Sequence, residues 1–249
     1  IDMALELGGK DPAYARYDCD LEKTVDNLVD GSFFNSGQSC CGIERIYVDE
    51  KIFNSFLELF ISKTYNYKLG NPLEQENNLG PVVKLSAAEF IINQMNKALD
   101  KGAKKMIDEN KFHFPKEHKN YLVPQILTNV THEMDFMTEE TFGPCVGIMK
   151  VSDENEAVKL MNDSPYGLTA SIWTNDVEIA EKIGNQVQTG TFFMNRCDYL
   201  DPALSWTGVK ETGKGCSLSE IAYEKLTAPK SFHLRLSLIH ISEPTRQAT

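Results

Sequence analysis

The stretch CVGIMKVSDENEAVKLMNDSPYGLTASIWTNDVEIAEKIGNQVQTGTFFMN, residues 145–195, decides the fold class. CVGIMKV (145–151), LTASIWT (168–174) and TGTFFMN (189–195) are short apolar runs rich in β-branched and aromatic residues, the pattern of buried strands. Between them, residues from about 153 to 162 and from about 176 to 187 read as helices. Strand, helix, strand, helix, strand predicts an α/β fold with a mainly parallel sheet and flanking helices.

The same grammar extends upstream. RIYVDE (45–50) reads as a strand, and KIFNSFLELFISKTYNY (51–67) as an amphipathic helix running towards Gly70. Residues 71–84 carry turn chemistry, LSAAEFIINQMNKALDKG (85–102) reads as a helix closed by Gly102, and KKMID and YLVPQILTNV read as strands. From Asp20 to about Ser36, Leu21, Val25, Leu28 and Val29 fall at helical spacing with Asp20 as N-cap. LELGGK (5–10) reads as a strand end running into a Gly turn.

Composition narrows the class. With 41% hydrophobic and 24% charged residues and only 16 Gly and 10 Pro in 249, the chain can build a core and is neither disordered nor collagen-like. A net charge of −11, with no basic run beside an aromatic stripe, excludes nucleic acid as the expected partner. No apolar stretch reaches the ~18 residues of a membrane span. Six cysteines, two of them adjacent at Cys40 and Cys41, form neither a disulfide framework nor a CxxC…CxxC zinc pattern, so a reducing compartment is expected.

Three short segments carry candidate chemistry. FFNSGQSCCGIER (33–45) hands a helix end over to adjacent thiols through Gly37, which permits close backbone approach. Cys40 there is either a nucleophile, with its own N–H offered to a developing oxyanion, or a small buried hydrophobe. Glu6 in LELGG is a carboxylate among apolar neighbours, and a buried carboxyl can serve as a general base near neutral pH; the alternative is a surface charge. EETFGP (139–144) is by itself only a loop. Lys10 is read as structural, with nothing nearby to suggest desolvation. The histidines, His113, His118, His132, His233 and His240, lack metal-ligand spacing, and no metal site is expected.

LELGGK, the GQSC core of FFNSGQSCCGIER and EETFGP, in this order and separation, closely resemble the aldehyde dehydrogenase superfamily. The likeness runs from residue 3 to about residue 236 and includes SPYGLTASIWT (164–174), TGTFFMN and PKSFHLR (229–235). It corresponds to the C-terminal, catalytic half of such an enzyme, so a partial chain is expected. The resemblance implies oxidation of an aldehyde to a carboxylic acid with NAD or NADP as cofactor. It makes Cys40 the nucleophile, forming a thiohemiacetal and then a thioester, with Ser39 and Cys41 as non-covalent neighbours. An Asn upstream of this chain would help hold the oxyanion, and Glu6 would activate water for deacylation. Glu140 would hold the nicotinamide ribose hydroxyls and Phe142 would lie beside the nicotinamide.

On this reading residues 1–15 end a dinucleotide-binding domain, 16–225 form the catalytic domain, 226–236 are an oligomerisation strand and 237–249 an atypical tail. A small aldehyde, self-association as dimer or tetramer and a cytoplasmic location, with the mitochondrion as alternative, complete the expectation. Ser205-Trp206-Thr207-Gly208 stands where many members carry Pro-Phe-Gly-Gly, which leaves aldehyde preference open. Two rival functions are a cysteine-dependent esterase or acyl-transferase, which needs no hydride acceptor, and an inactive fragment lacking the cofactor domain.

Overall fold

Asp11–Ala15, the segment DPAYA, is the strand on which the architecture turns, and nothing in its sequence announces it. All five residues are buried, so no polar alternation marks them, and the run is too short for periodicity to speak. The computed structural model describes residues 3–114 and 117–235. Its strands are β1 (Leu5–Glu6), β2 (Asp11–Ala15), β3 (Ile43–Asp49), β4 (Lys104–Lys105), β5 (Gln125–Thr128), β6 (Cys145–Val151), β7 (Tyr166–Gly167), β8 (Thr169–Trp173), β9 (Thr191–Met194), β10 (Val209–Lys210) and β11 (Gly213–Lys214). Its α-helices are α1 (Leu21–Phe33), α2 (Phe53–Thr64), α3 (Leu85–Asp100), α4 (Asp135–Thr138), α5 (Glu154–Asn162), α6 (Val177–Gly184) and α7 (Ile221–Leu226).

Seven strands form one sheet in the order β4-β5-β6-β3-β2-β8-β9, parallel throughout except for β4. This is the mainly parallel α/β fold expected. Strand alternation sorts the core into layers. Ala13, Ala15, Ile46 and Val48 face α1 and α2, meeting Val25, Leu28, Phe33, Phe56 and Phe60. Tyr14, Tyr47 and Ile172 point the other way, against Ile91 and Met95 of α3, Phe136 of α4, Ala157 of α5 and Ile183 of α6.

Helix ends follow their sequence signals. Asp20 accepts the Lys23 N–H, Asp153 those of Asn155 and Glu156, and Asp176 that of Ile179. Gly102 adopts φ +101 just beyond α3. The first helix stops three residues before Ser36: Asn35 and Ser36 take left-handed φ of 52 and 57, breaking it into a 3-10 turn. Arg45, buried in β3, donates to Leu160 O and Met161 O at the end of α5, where a cation complements the helix dipole.

The boundary expected after residue 15 falls at the end of β2, which pairs in parallel with β3 and β8. The LELGG strand is only β1, paired antiparallel with β11 outside the main sheet. Over the described part of 226–236, Leu226 ends α7 and residues 227–235 are exposed without strand pairing inside the chain. Residues 236–249, with the tail and His240, lie outside the described residues. Among the described residues no helix is long and apolar enough to cross a membrane.

Candidate active site

The three motif segments, far apart in sequence, precede neighbouring parallel strands: LELGGK runs into β2, GQSCCG into β3 and EETFGP into β6. They therefore meet at the amino edge of the sheet. Glycines set how closely they meet. A β-carbon on Gly9 would collide with the Cys40 carbonyl oxygen, one on Gly37 with the Gly143 carbonyl oxygen, and one on Gly8 would stand 2.7 Å from Glu140 Oε2. Gly37 is also left-handed, at φ +68. Gln38 latches the turn: its Oε1 accepts the Val83 N–H at 2.8 Å and its Nε2 donates to Asn35 O at 3.0 Å.

Carboxylates collect the main-chain donors of this edge. Glu140 Oε1 accepts the Gly9 N–H at 2.8 Å. Glu44 accepts the Thr141 N–H on Oε2 and the Phe142 N–H on Oε1, both at 2.8 Å, and takes the Lys10 ammonium on Oε2 at 2.6 Å. Phe142 itself has a left-handed φ of 53, a conformation unusual for an aromatic and held by that amide bond. Lys10 is only 1% exposed, with Thr141 Oγ1 at 2.8 Å and the Phe136 ring beneath. The expectation of no desolvation at Lys10 was wrong; burial is compensated by pairing, which leaves its role structural. Asp11, also buried, accepts the Thr169 N–H at 3.1 Å and its hydroxyl.

The adjacent thiols differ sharply. Cys40 is exposed, and a hydrogen bond from the Cys41 side chain, aided by the Cys40 N–H, lowers its pKa to about 7 against burial and the charges of Glu140 and Asp198. Cys41 is 6% exposed, packed with Leu168 and Trp206, and donates to Asp198 Oδ1 at 2.7 Å. Its thiol is pushed far up by its bond to Cys40 and by burial. Trp206, in the run that departs from the family pattern, thus packs against the second thiol.

Glu6 does not fit the buried carboxylate expected. In β1 it is exposed, and its Oε1 accepts the Ser217 hydroxyl; β1 pairs with the short β11 outside the main sheet. Glu140 and Phe142 share the wall of a groove of about 590 Å³ that α3 closes on the other side with Ala87, Phe90 and Gln94. Phe142 is 40% exposed there, and burial raises the Glu140 pKa. Sequence reasoning missed Glu44, Asp11 and Asp198. The first two adjoin motif residues, in CGIER and GGKD, and strand burial was their only signal; Asp198 carried none. His132 is structural, its Nε2 2.8 Å from Tyr47 Oη and its Nδ1 2.9 Å from Asp163 Oδ2. Among the described residues no cluster of His, Cys, Asp or Glu could hold a metal.

The sequence matches the aldehyde dehydrogenase family over residues 1–232. It is 32% identical over 235 residues to a 3-sulfolactaldehyde dehydrogenase of Priestia aryabhattai, covering 94% of this chain and 48% of that one. To a succinate semialdehyde dehydrogenase (NAD(P)+) of Escherichia coli it is 36% identical over 215 residues, covering 86% and 46%. The chain spans about half the length of the curated relatives it matches. The fold is similar to a betaine aldehyde dehydrogenase of Staphylococcus aureus solved with NAD+, at a TM-score of 0.84 and 31% identity over 90% of this chain and 45% of that one. A glyceraldehyde-3-phosphate dehydrogenase of Methanocaldococcus jannaschii complexed with NADP gives 0.82 and 31% over 89% and 47%.

Proposed function

Since the chain belongs to the aldehyde dehydrogenase family, we propose that it supplies the catalytic half of an enzyme oxidising an aldehyde to a carboxylic acid with NAD or NADP, and that Cys40 is the nucleophile. The observation that carries this reading is the contrast between the thiols: Cys40 is exposed with a lowered pKa, while Cys41 is enclosed with its proton held. Thiolate attack needs the first state and excludes the second.

The Cys40 sulfur adds to the carbonyl carbon, and the oxygen gains the negative charge, close to the Cys40 N–H. Loss of hydride from that carbon leaves a thioester on Cys40. NAD or NADP, when bound, supplies the hydride acceptor. The groove suits it: Glu140 offers a carboxylate to ribose hydroxyls, and the exposed Phe142 ring offers an apolar face beside it. Water then attacks the thioester, Glu6 takes its proton, and collapse releases the acid and restores the thiolate. Glu6 is exposed on β1, where its carboxylate also accepts the Ser217 hydroxyl.

The test is steady-state NADH production by Cys40→Ser and Cys41→Ser in the longest natural polypeptide that contains this sequence. Cys40→Ser should abolish turnover and Cys41→Ser should keep most of it; equal loss in both would remove Cys40 from its role.

A further inference from the structure

Glu6 stands opposite Gly213 of β11, as Leu5 stands opposite Lys214. The facing position must be glycine, since a β-carbon there would collide with the Leu5 carbonyl oxygen, and a glycine offers no side chain to the Glu6 carboxylate. One further bond, from the Leu7 N–H to the Thr212 carbonyl at 2.8 Å, extends the pairing. An exposed glutamate held only by so short a ladder would exchange among rotamers.

Its side-chain partner comes from beyond β11: the Ser217 hydroxyl donates to Glu6 Oε1. Ser217 is in turn located relative to the thiols. Its N–H donates to the Trp206 carbonyl at 2.8 Å, and its own carbonyl accepts the Trp206 N–H at 2.7 Å. Trp206 packs with Cys41 and Leu168, and Leu218, next to Ser217, packs on the same cluster. From the other direction, Gly9 lies against the Cys40 carbonyl oxygen. Glu6 is three residues before it, a distance the chain spans in at most about 10 Å. The hydroxyl that holds the carboxylate and the turn that carries the thiol are thus built on common ground.

We propose that Ser217 is a positioning residue for Glu6: it fixes the carboxylate by Oε1 and leaves Oε2 to take a proton from the water that hydrolyses the Cys40 thioester. This rests on the reading of Cys40 as nucleophile and Glu6 as base. A serine hydroxyl has one proton to donate, so it engages one carboxylate oxygen and leaves the lone pairs of the other open. A hydrogen bond to a carboxylate is stronger than one between neutral groups, and a base already held in one orientation loses less freedom when the water arrives. In the step itself the water oxygen bonds to the acyl carbon and one water proton passes to Glu6 Oε2. The carbon–sulfur bond then breaks with its electron pair left on Cys40 Sγ, the acid departs, and Glu6 returns its proton to solvent. The main-chain pairing of Ser217 with Trp206 does not use the hydroxyl, so the side chain can be changed without removing its support.

The experiment acylates Cys40 with p-nitrophenyl acetate in the longest natural polypeptide that contains this sequence. Release of p-nitrophenolate follows acylation, and loss of the acetyl mass from the Cys40 peptide follows hydrolysis. Ser217→Ala should slow hydrolysis about tenfold while acylation changes by less than about twofold. Ser217→Thr, which keeps the hydroxyl, should recover hydrolysis to within about threefold of the natural rate. In the Glu6→Gln background Ser217→Ala should slow hydrolysis by less than about a further twofold, because no carboxylate base is left to hold. Natural hydrolysis in Ser217→Ala, or an equal slowing in both backgrounds, would overturn the proposal and leave the base reading standing on the loss in Glu6→Gln. Equal losses of acylation and hydrolysis in Ser217→Ala, unrelieved in Ser217→Thr, would make the hydroxyl part of the scaffold only and overturn it as well. Natural hydrolysis in Glu6→Gln would remove the base reading and the proposal together.

Discussion

Gly9 lies with its Cα against the carbonyl oxygen of Cys40, so closely that any β-carbon would collide with it. The obstacle is backbone, not the movable end of a side chain, so repacking cannot relieve it. Gly9→Ala is expected to destabilise the fold by about 3 kcal/mol. Gly80→Ala, where the nearest atom is 3.7 Å away, should change stability by less than about 1 kcal/mol. Urea unfolding of both variants reads the difference, and comparable midpoints would show the contact to be soft.

Cys40 should be half thiolate at about pH 7. The sign is that of an acid whose charged form is favoured: the reactive fraction grows as pH rises and saturates earlier than for an ordinary thiol. Alkylation at Cys40 should therefore rise roughly tenfold from pH 6 to pH 8 and level off there, whereas a cysteine titrating near ~8.5 would still be climbing. Cys197, pushed up to about 12 by burial and by Asp198, should stay unlabelled throughout.

Lys10 and Glu44 are a buried pair with main-chain bonds attached, so removing one partner strands the other. Glu44→Gln and Lys10→Met should each destabilise by about 3 kcal/mol or more. The double variant should be less destabilised than the sum of the singles, because neither charge is then left alone. Strict additivity in chemical denaturation would mean that the pair is not coupled.

Nucleotide should bind the 249-residue chain weakly. Glu140 and Phe142 offer two contacts on one wall of an open groove, and ordering a dinucleotide costs several kcal/mol of lost freedom. A Kd no tighter than about 1 mM, roughly −4 kcal/mol, is expected for NAD by calorimetric titration. Micromolar binding would mean that the groove holds more of the cofactor than these two residues can.

Much of this was legible in the sequence. The strands from Cys145 onward alternate with capped helices whose Asp residues stand where caps are needed, and LELGGK, GQSC and EETFGP in that order carried the family resemblance that implied the site. What escaped was short or buried from every side. DPAYA has no periodicity to read, and Glu44 and Asp11 look like ordinary charges until burial makes them acceptors for main-chain amides. Glu6 misled for the opposite reason: apolar neighbours in sequence suggested a buried site, but a two-residue strand paired with another of the same length has too little around it to bury anything.

Glu44 sits four residues beyond Cys40, at the start of the strand into which the Cys40 turn leads, and holds Thr141 and Phe142 by their amides. Cys40, the proposed nucleophile, and the loop bearing Glu140 are therefore both fastened to the leading end of β3. Thermal displacement of that strand carries the two along together. It appears as common-mode motion, which largely cancels in the separation between thiol and carboxylate, so the spacing of the site can be steadier than the position of any one of its parts.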